Sequence, residues 1–265
     1  MMRRPTIALL TDFGNQDSYV AEIKGAMLSI NSNVNIVDIT HNIEPQNVLH
    51  AALMLKRSVN FFPKGTVFVC VVDPEVGSKR KIIYIDTQDY CFVAPDNGLL
   101  WMTVNDMNVR KVINLENYNY FLSRTPSTFE GRDKMAPVAA YASLGVEPAQ
   151  FGPTQTGIVE LEMPKPIVDK EILTGEIIYF DNFGNAITNI TFDDLMGTEA
   201  ATLPHVIFNG NEIGHIVSTF SDAENGTPLA YFGSSGLLEL ALNNGNFHQA
   251  MKARPKDKVV VNYGK

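Results

Sequence analysis

The sequence predicts an α/β protein: an N-terminal domain with a mostly parallel sheet and flanking helices, followed by a smaller C-terminal antiparallel β domain. Three observations support this prediction. Strand-like and helix-like runs alternate in the first half, one strand-like run is apolar throughout, and the pattern changes near Leu161 to short alternating runs separated by turns. Strands that alternate with helices are typical of a mainly parallel sheet.

The first strand and helix are indicated by their apolar spacing. Thr6–Leu10 is a short β run that ends before Asp12. Tyr19–Ile30 is predicted as a helix because its apolar residues recur three or four positions apart, which places them on one face. Asp17 or Ser18 lies where an N-cap oxygen would accept hydrogen bonds from the amides of the first turn.

The following elements continue the alternation. Val34–Ile39 is predicted as the second strand, and Asn47–Phe61 as the second helix. Thr66–Val72 (TVFVCVV) contains no polar alternation, as expected for a parallel strand that is covered on both faces. Two further strands are predicted at Lys81–Asp86 and Tyr90–Ala94.

Acidic residues lie near the ends of the predicted strands, at a place where ligands commonly bind. The four residues concerned are Asp12, Asp38, Asp73 and Asp96. In open α/β sheets, ligands bind beyond the carboxyl ends of the strands. The sequence therefore predicts a functional site at this edge of the sheet.

The pattern divides the chain into two domains and a connection. Residues 1–163 form the predicted α/β domain, residues 164–174 a linker, and residues 175–265 the β domain. The linker prediction depends on Pro164 and Pro166, which lie among charged residues. The β domain is predicted from short runs such as Glu176–Phe180 and His205–Phe208, which are separated by NG, GN and SSG turns.

Composition limits the partners and the compartment. The formal net charge is −8 and no Lys/Arg-rich run occurs, so we expect neither a nucleic acid nor a membrane as partner. No apolar stretch reaches the roughly 18 residues of a transmembrane helix. The N-terminal apolar run is shorter than the ~7–15 residues of a secretion signal. With Cys70 and Cys91 in apolar runs as free thiols, the expected location is the cytoplasm.

Several common chemistries lack their motifs. The sequence contains no GxGxxG or GxxxxGK[ST] phosphate loop, no HExxH, no CxxC pair and no GxSxG. The five histidines are scattered, and no two are spaced as ligands on one helical face. We therefore expect no metal site. His41 and His50 are interpreted as structural residues.

Two acidic segments are candidates for function, each with a structural alternative. Asp12 lies at a strand exit, where a carboxylate can accept both hydroxyls of a ribose. It can equally close an Asx-turn, with Asp17 as a helix cap. Asp73 and Arg80 bracket the turn DPEVGSKR, in which the two side chains can face each other. Such pairs are usually structural, but the position at a strand exit favours function.

Three further segments carry polar groups in irregular surroundings. STFEGRDKMAP, residues 127–137, contains Glu130 and Arg132 before a probable helix. DNFGNAITNI, residues 181–190, has the composition of a hairpin turn. GSSG, residues 233–236, is either a polar clamp or a turn.

In order along the chain, these segments resemble one family. They read TDFGNQDSYVAEIKG, VDITHNIEPQNV, FFPKGTVFVCVVDPEVGSKR, VAPDNGLL, STFEGRDKMAPVAA, YFDNFGNAITNI and GSSGLLELA. The resemblance is to the S-adenosylmethionine (SAM) hydroxide adenosyltransferases, SAM hydrolases related to the fluorinase and chlorinase enzymes. It implies an N-terminal α/β domain, a C-terminal β domain, and a homotrimer with the ligand between subunits. The implied reaction converts SAM and water to adenosine and methionine, with SAM as the substrate and no cofactor.

The resemblance also implies roles for residues that bind the substrate. Asp12 would bind the ribose hydroxyls. The amino and carboxylate groups of the methionine part would be held by Asp17, Asp181 and Ser234.

The adenine part and the nucleophile have their own implied residues. Asn185 would bind the adenine edge, with Phe183 and Phe220 against the ring system. Asp73 and Arg80 would position the attacking water. The halogenating relatives carry a tyrosine at the position of Asp73, and the additional carboxylate here favours water over a halide because it repels an anion.

The sequence departs from the family pattern at two positions. The usual Phe-His-Gly-Arg-Asp has Glu130 in place of histidine, and Glu75 replaces the usual glycine after Asp-Pro. Glu130 near Asp73 could have a raised pKa and accept a proton from water. Alternatively, carboxylates that share one arginine would share a proton and leave the site slow or inactive. The sequence therefore predicts a SAM hydrolase with the catalytic set Asp73, Arg80 and Glu130, the alternative being a silenced SAM- or adenosine-binding protein.

Overall fold

The computed structural model describes residues 4–123, 128–196 and 204–264. Its contacts divide the chain into two compact units, with the division between Glu162 and Met163. The first unit contains one sheet with helices, and the second contains mainly strands.

The first unit has six strands and four α-helices among its described residues. The strands are β1 Thr6–Thr11, β2 Asn35–Thr40, β3 Val67–Val71, β4 Ile82–Thr87, β5 Cys91–Pro95 and β6 Val109–Asn114. The helices are α1 Tyr19–Ile30, α2 Val48–Ser58, α3 Trp101–Val104 and α4 Ala136–Ser143. A π-helical turn, Gly131–Met135, leads directly into α4.

Two helix predictions show how local sequence sets a boundary. The predicted helix Tyr19–Ile30 is confirmed at both ends. Ser18 occupies its N-cap position, but makes no side-chain cap hydrogen bond; its Oγ donates to Glu22 instead. The second helix begins after Asn47, whose side chain accepts the His50 N–H at 2.9 Å, so Asn47 is a true N-cap.

The N-terminal sheet is mixed, so the prediction of a mostly parallel sheet is wrong. The strand order is β2-β1-β3-β5-β4-β6. β1 pairs in parallel with β2 and β3, and β3 with β5, whereas β4 is antiparallel to both β5 and β6. A tight turn, in which Thr87 N–H donates to Tyr90 O at 2.9 Å, joins β4 to β5. A parallel connection needs a crossover of about a dozen residues, so this turn forces the chain to reverse.

The sheet lies between two layers of helices. Alternate residues of β1 point to opposite sides: Ile7 and Leu9 pack with residues of α1 and α4, and Ala8 and Leu10 pack with residues of α2 and α3. Each apolar set is buried, which explains the continuous apolar character of the central strands. The arrangement leaves the carboxyl ends of β1 and β3 side by side at one edge.

The second unit is a closed β-barrel. Its strands are β7 Ile167–Asp169, β8 Ile172–Phe180, β9 Ala186–Thr191, β10 His205–Phe208, β11 Asn211–Val217, β12 Pro228–Phe232, β13 Leu237–Leu242 and β14 Lys258–Asn262. The strand order is β14-β10-β11-β12-β13-β9-β8-β7, and pairing of β14 with β8 closes the ring. Two short helices, α5 Phe192–Met196 and α6 Phe247–Met251, complete the described part.

Two details of this unit differ from the prediction. The pair β11–β12 is parallel, so the barrel is not wholly antiparallel. The segment 164–174, predicted as a linker, contains β7 and the first residues of β8, which belong to the second unit. The two prolines at 164 and 166 precede β7 and do not prevent it, because proline is tolerated before a strand.

No helix in the described ranges is long and apolar enough to cross a membrane. The longest, α1, has 12 residues. A membrane-spanning helix needs about 20.

Candidate active site

A cavity of about 300 Å³ opens at the carboxyl ends of β1 and β3 in the first unit. Its wall combines acidic and aromatic side chains. The lining residues are Asp12, Phe13, Tyr19, Gln46, Val71, Asp73, Val76, Thr128, Phe129, Glu130, Gly131 and Met135. This is the edge of the sheet at which the sequence predicts a site.

Asp12 follows the last residue of β1 and is held by a neighbouring loop. Its Oδ2 accepts the backbone N–H of Gln46 at 2.8 Å. Gln46 has a φ of 63°, in the left-handed region that is uncommon for residues other than glycine. Asp12 therefore connects two loops across 34 residues instead of closing a local Asx-turn.

An aromatic cluster forms one side of the cavity. The rings of Phe13, Tyr19 and Phe129 lie 5.3–5.7 Å apart, centre to centre, in tilted and edge-to-face arrangements. They bring together the loop after β1, the start of α1 and the segment before the π-helical turn. This cluster supplies an apolar part of the same cavity wall to which the carboxylates belong.

The structure brings Asp73, Arg80 and Glu130 into direct contact. The Arg80 guanidinium contacts both carboxylates, and only 5–9% of each of these three side chains is exposed. Among the described residues, Arg80 Nε is buried and has no hydrogen-bond partner. Buried donors in proteins are almost always paired, so this N–H marks a place for an additional acceptor.

The loop between β3 and β4 positions two of these side chains. The Glu75 N–H donates to Asp73 Oδ1 at 3.2 Å, and the Arg80 N–H donates to Ser78 Oγ at 3.1 Å. Gly77, with a φ of 82°, allows the chain to turn back. Glu75 itself is exposed, so its departure from the family glycine places a side chain outside the cluster.

Glu130 has a second cationic partner, Lys134, which is not among the predicted site residues. Lys134 Nζ lies 2.5 Å from Glu130 Oε1, while Arg80 binds Oε2. Burial by itself raises the pKa of Glu130, but the hydrogen bonds from Lys134 and Arg80 outweigh it and hold the pKa below its ordinary value. The predicted rise in the Glu130 pKa is therefore wrong, because the carboxylate faces two cations and not one.

Arg80 remains a cation in this environment. Burial lowers its pKa, but the hydrogen bonds and charges of Asp73 and Glu130 exceed this effect, and the pKa is raised. The cluster therefore offers carboxylate oxygens that can accept hydrogen bonds from water, and a guanidinium that can only donate them.

In the second unit, Asp181 and Asn185 form a hydrogen-bonded pair in the β8–β9 turn. Asp181 Oδ1 accepts the N–H groups of Phe183 and Asn185, both at 2.9 Å. Asp181 Oδ2 accepts a hydrogen bond from the Asn185 side-chain amide, also at 2.9 Å. The carboxylate thus fixes the orientation of a buried asparagine.

The other predicted binding residues are exposed or partly exposed. Phe183 is 74% exposed, and Phe220 is 38% exposed and contacts Tyr231 with its ring. Ser234 is exposed in the GSSG turn, whereas the adjacent Ser235 has a buried hydroxyl without a partner in the described part of the chain. In the first unit, Asp17 is exposed in the loop before α1.

Two of the four strand-end aspartates lie outside the cavity. Asp38 lies within β2, where it pairs with Lys24 and His41. Asp96 follows β5 and accepts hydrogen bonds from the Val159 N–H and the Gln155 side chain. Both are occupied by structural contacts, so only Asp12 and Asp73 reach the candidate site.

Two supports of this site are absent from the sequence-based predictions. Lys134 lies four residues after Glu130, and this i,i+4 spacing of opposite charges was a usable signal. The second support is the buried His41, whose Nδ1 forms a hydrogen bond with Thr11 Oγ1 at 2.8 Å. Thr11, the last residue of β1, in turn accepts the Phe13 N–H through the same oxygen. This second support joins residues 30 positions apart, and no local pattern indicates it.

No cluster of three or more His, Cys, Asp or Glu side chains in the described ranges is arranged to hold a metal ion.

Comparison with known proteins identifies the family. Models of the SAM hydroxide adenosyltransferase N-terminal and C-terminal domains match residues 7–152 and 175–260. The chain belongs to the SAM hydroxide adenosyltransferase family. The cavity and its buried cluster lie within the N-terminal match, and the Asp181–Asn185 turn lies within the C-terminal match.

Relatives of this family include enzymes with different names. The (R)-S-adenosyl-L-methionine hydrolase of Salinispora arenicola is 32% identical over the full length of both chains. A fluorinase from an Actinoplanes species is 30% identical, over 90% of this chain and 91% of its own. A crystal structure of an uncharacterized conserved protein from Thermotoga maritima is 37% identical, with a TM-score of 0.86 over 96% of this chain and 99% of that protein.

Proposed function

We propose that this protein hydrolyses SAM to adenosine and L-methionine by attack of water on the ribose C5′. The observation that supports this proposal most directly is the buried Asp73–Arg80–Glu130 cluster, whose two carboxylates line the same cavity as Asp12. Family membership, with relatives named as SAM hydrolases, points to the same substrate. SAM carries a positive sulfonium, which suits a cavity with several carboxylates.

The proposed binding residues each match one part of the substrate. Asp12 accepts hydrogen bonds from the ribose hydroxyls, and the Gln46 N–H keeps its carboxylate in place. Asp17, Asp181 and Ser234 hold the amino and carboxylate groups of the methionine part.

The adenine part is assigned to the second unit's aromatic and amide groups. Asn185 binds the adenine edge, since its amide is already oriented by the Asp181 carboxylate. Phe183 and Phe220, whose rings are both accessible, pack against the purine ring. An aromatic face and a fixed amide are the usual means of binding a base.

The proposed chemical step is a displacement at carbon. A water oxygen forms a bond to C5′ as the C5′–S bond breaks, and that electron pair returns to the methionine sulfur. Asp73 orients the water and accepts its proton, and Arg80 holds Asp73 in position. The charges of a hydroxide-like nucleophile and a sulfonium cancel in this step, so an enclosed site favours it.

The residue at position 73 favours water over halide in this scheme. A carboxylate at the nucleophile position repels an anion, and Asp73 is buried beside a second carboxylate. Halide-dependent transfer of the adenosyl group is therefore the less supported reaction, although a fluorinase is among the relatives.

A second candidate function is binding of SAM or adenosine without turnover. The observation that favours it is the occupation of both Glu130 oxygens by cations, which leaves this carboxylate a poor proton acceptor. We nevertheless favour hydrolysis, because Asp73 can accept the proton of water without the help of Glu130.

We also propose that the protein is a cytoplasmic homotrimer that needs no cofactor. These proposals extend the family resemblance and the composition of the chain. Light scattering of the purified protein, with and without adenosine, tests the trimer. Activity in buffer that contains a strong chelator tests the expectation that no metal takes part.

Incubation of the purified protein with SAM in ¹⁸O-labelled water tests the reaction. We expect methionine and adenosine with one ¹⁸O at the 5′ oxygen, identified by mass spectrometry. A reaction with fluoride or chloride in place of water would give a 5′-halogenated product. Recovery of intact SAM on the protein would instead support the binding function.

A further inference from the structure

Lys134 completes a chain of alternating charges in the first unit. The order is Asp73, Arg80, Glu130 and Lys134, and each neighbouring pair is in contact. Lys134 Nζ also lies 5.8 Å from the centre of the Phe121 ring, and only 22% of its side chain is exposed. The ammonium group is therefore held in the site and does not extend freely into solvent.

The balance of charge depends on this lysine. Asp73, Arg80 and Glu130 alone carry a net charge of −1 in a buried position, and two carboxylates around one cation tend to share a proton. With Lys134 the four groups are neutral, so both carboxylates can remain ionised. Glu130 keeps one oxygen on each cation, and this geometry directs the Arg80 guanidinium between Asp73 and Glu130.

Other charged groups near Glu130 do not replace this contribution. Arg132 is directed to Asp133 and Glu22, at 2.7 Å from each. Asp12 lies on the wall of the same cavity and adds negative charge. Lys134 is therefore the cation that offsets the second carboxylate of the cluster.

We propose that Lys134 is a positioning residue, which balances the charge of the Asp73–Arg80–Glu130 cluster and keeps Glu130 bound to Arg80. Glu130, which occupies the family's histidine position, and Lys134 act as an ion pair in this chain. The kinetic consequence rests on the proposed function, because it concerns the ionisation of Asp73 during attack by water.

The test compares pH profiles of four variants. In Lys134→Met, we expect the acid limb of kcat to move to higher pH by about one unit or more, with KM for SAM unchanged, because a net negative cluster takes up a proton more easily. Lys134→Arg should restore the original limb. The double variant Lys134→Met/Glu130→Gln should move the limb back toward lower pH, since Asp73 and Arg80 then form a neutral pair.

The control is Lys56→Met, which removes an exposed lysine of α2 that pairs with Asp106 in the turn after α3. It should leave the pH profile unchanged. If Lys134→Met reduces kcat equally at every pH, or if the double variant is shifted further than the single one, the proposed charge balance is wrong. Thermal unfolding of each variant shows whether the fold is retained.

A second measurement does not require turnover. In protein with ¹³C-labelled glutamate carboxyls, the Glu130 signal is identified by its loss in Glu130→Gln and titrated by NMR. We expect its pKa to be higher in Lys134→Met than in the unmodified protein. An unchanged pKa would overturn the inference even if SAM is hydrolysed, and a raised pKa would support it even if SAM is not cleaved.

Discussion

Arg80 and Glu130 lie 50 residues apart in the sequence, and their side chains form a buried hydrogen-bonded ion pair. The pair joins the loop after β3 to the π-helical turn before α4. Removal of one member of a buried ion pair leaves an uncompensated charge in the protein interior, which is far less favourable than loss of an exposed pair.

Arg80→Met should therefore destabilise the protein strongly. We expect the free energy of unfolding to fall by about 3–5 kcal/mol, because two buried carboxylates lose their shared cation. Urea unfolding followed by circular dichroism measures this change. The matched control is Arg110→Met at an exposed arginine, which should change stability by less than about 0.5 kcal/mol. Equal unfolding midpoints for the two variants would contradict the assignment.

Stability should decrease as the pH falls through the acidic range. The pKa of Glu130 lies below its ordinary value of 4.5 in the folded protein, so protons bind more readily to the unfolded chain. The resulting contribution is fully present above about pH 4.5 and is lost as the pH falls through the lower, folded-state pKa. Burial raises the pKa of Asp38, but the hydrogen bonds from Lys24 and His41 outweigh this effect and lower it. Asp38 therefore also stabilises the protein less as the pH falls.

Urea midpoints measured between pH 3 and pH 7 check this expectation. Glu130→Gln should show a smaller loss of stability on acidification than the unmodified protein, because it lacks the group that is protonated. A variant that retains the full pH dependence would show that other carboxylates cause it.

Asp73→Asn should reduce the release of adenosine from SAM. General base catalysis contributes typically about 10²–10⁴-fold, so we expect a fall in kcat within that range. Because Asp73 acts on water and not on the substrate, adenosine affinity should remain within a few-fold. Chromatography of the products measures the rate, and Asp106→Asn at an exposed loop provides the control. An unchanged kcat would remove Asp73 from the mechanism.

Substitutions of Asp12 and Asp17 should weaken the binding of different parts of the ligand. Loss of a hydrogen bond to a charged group weakens binding by about 1.5–3 kcal/mol, so Asp12→Ala should bind both adenosine and SAM more weakly. Asp17→Asn should weaken SAM but not adenosine, since adenosine has no methionine part. Isothermal titration calorimetry with the two ligands distinguishes these effects. Equal losses for both ligands in Asp17→Asn would exclude its assigned contact.

The alternation of elements in the first unit was accessible from sequence because it depends on local spacing. α1 was predicted at both ends, since the period of its apolar residues extends over three turns. The mixed character of the sheet was not accessible. The apolar pattern of a buried strand is the same in either direction, and the direction of β4 is decided by its turn to β5 and its pairing with β6.

The candidate site shows the same division. By itself, the sequence determined the family through its ordered motifs, and it placed Asp12 and Asp73 at strand ends. That Asp73, Arg80 and Glu130 form the catalytic set stays a prediction. Only the tertiary structure decided that Asp38 and Asp96 are occupied by structural contacts, and that Glu130 is held between two cations. The reason is physical: the ionisation of a carboxylate depends on the charges within a few ångströms, and folding brings those charges together from distant positions.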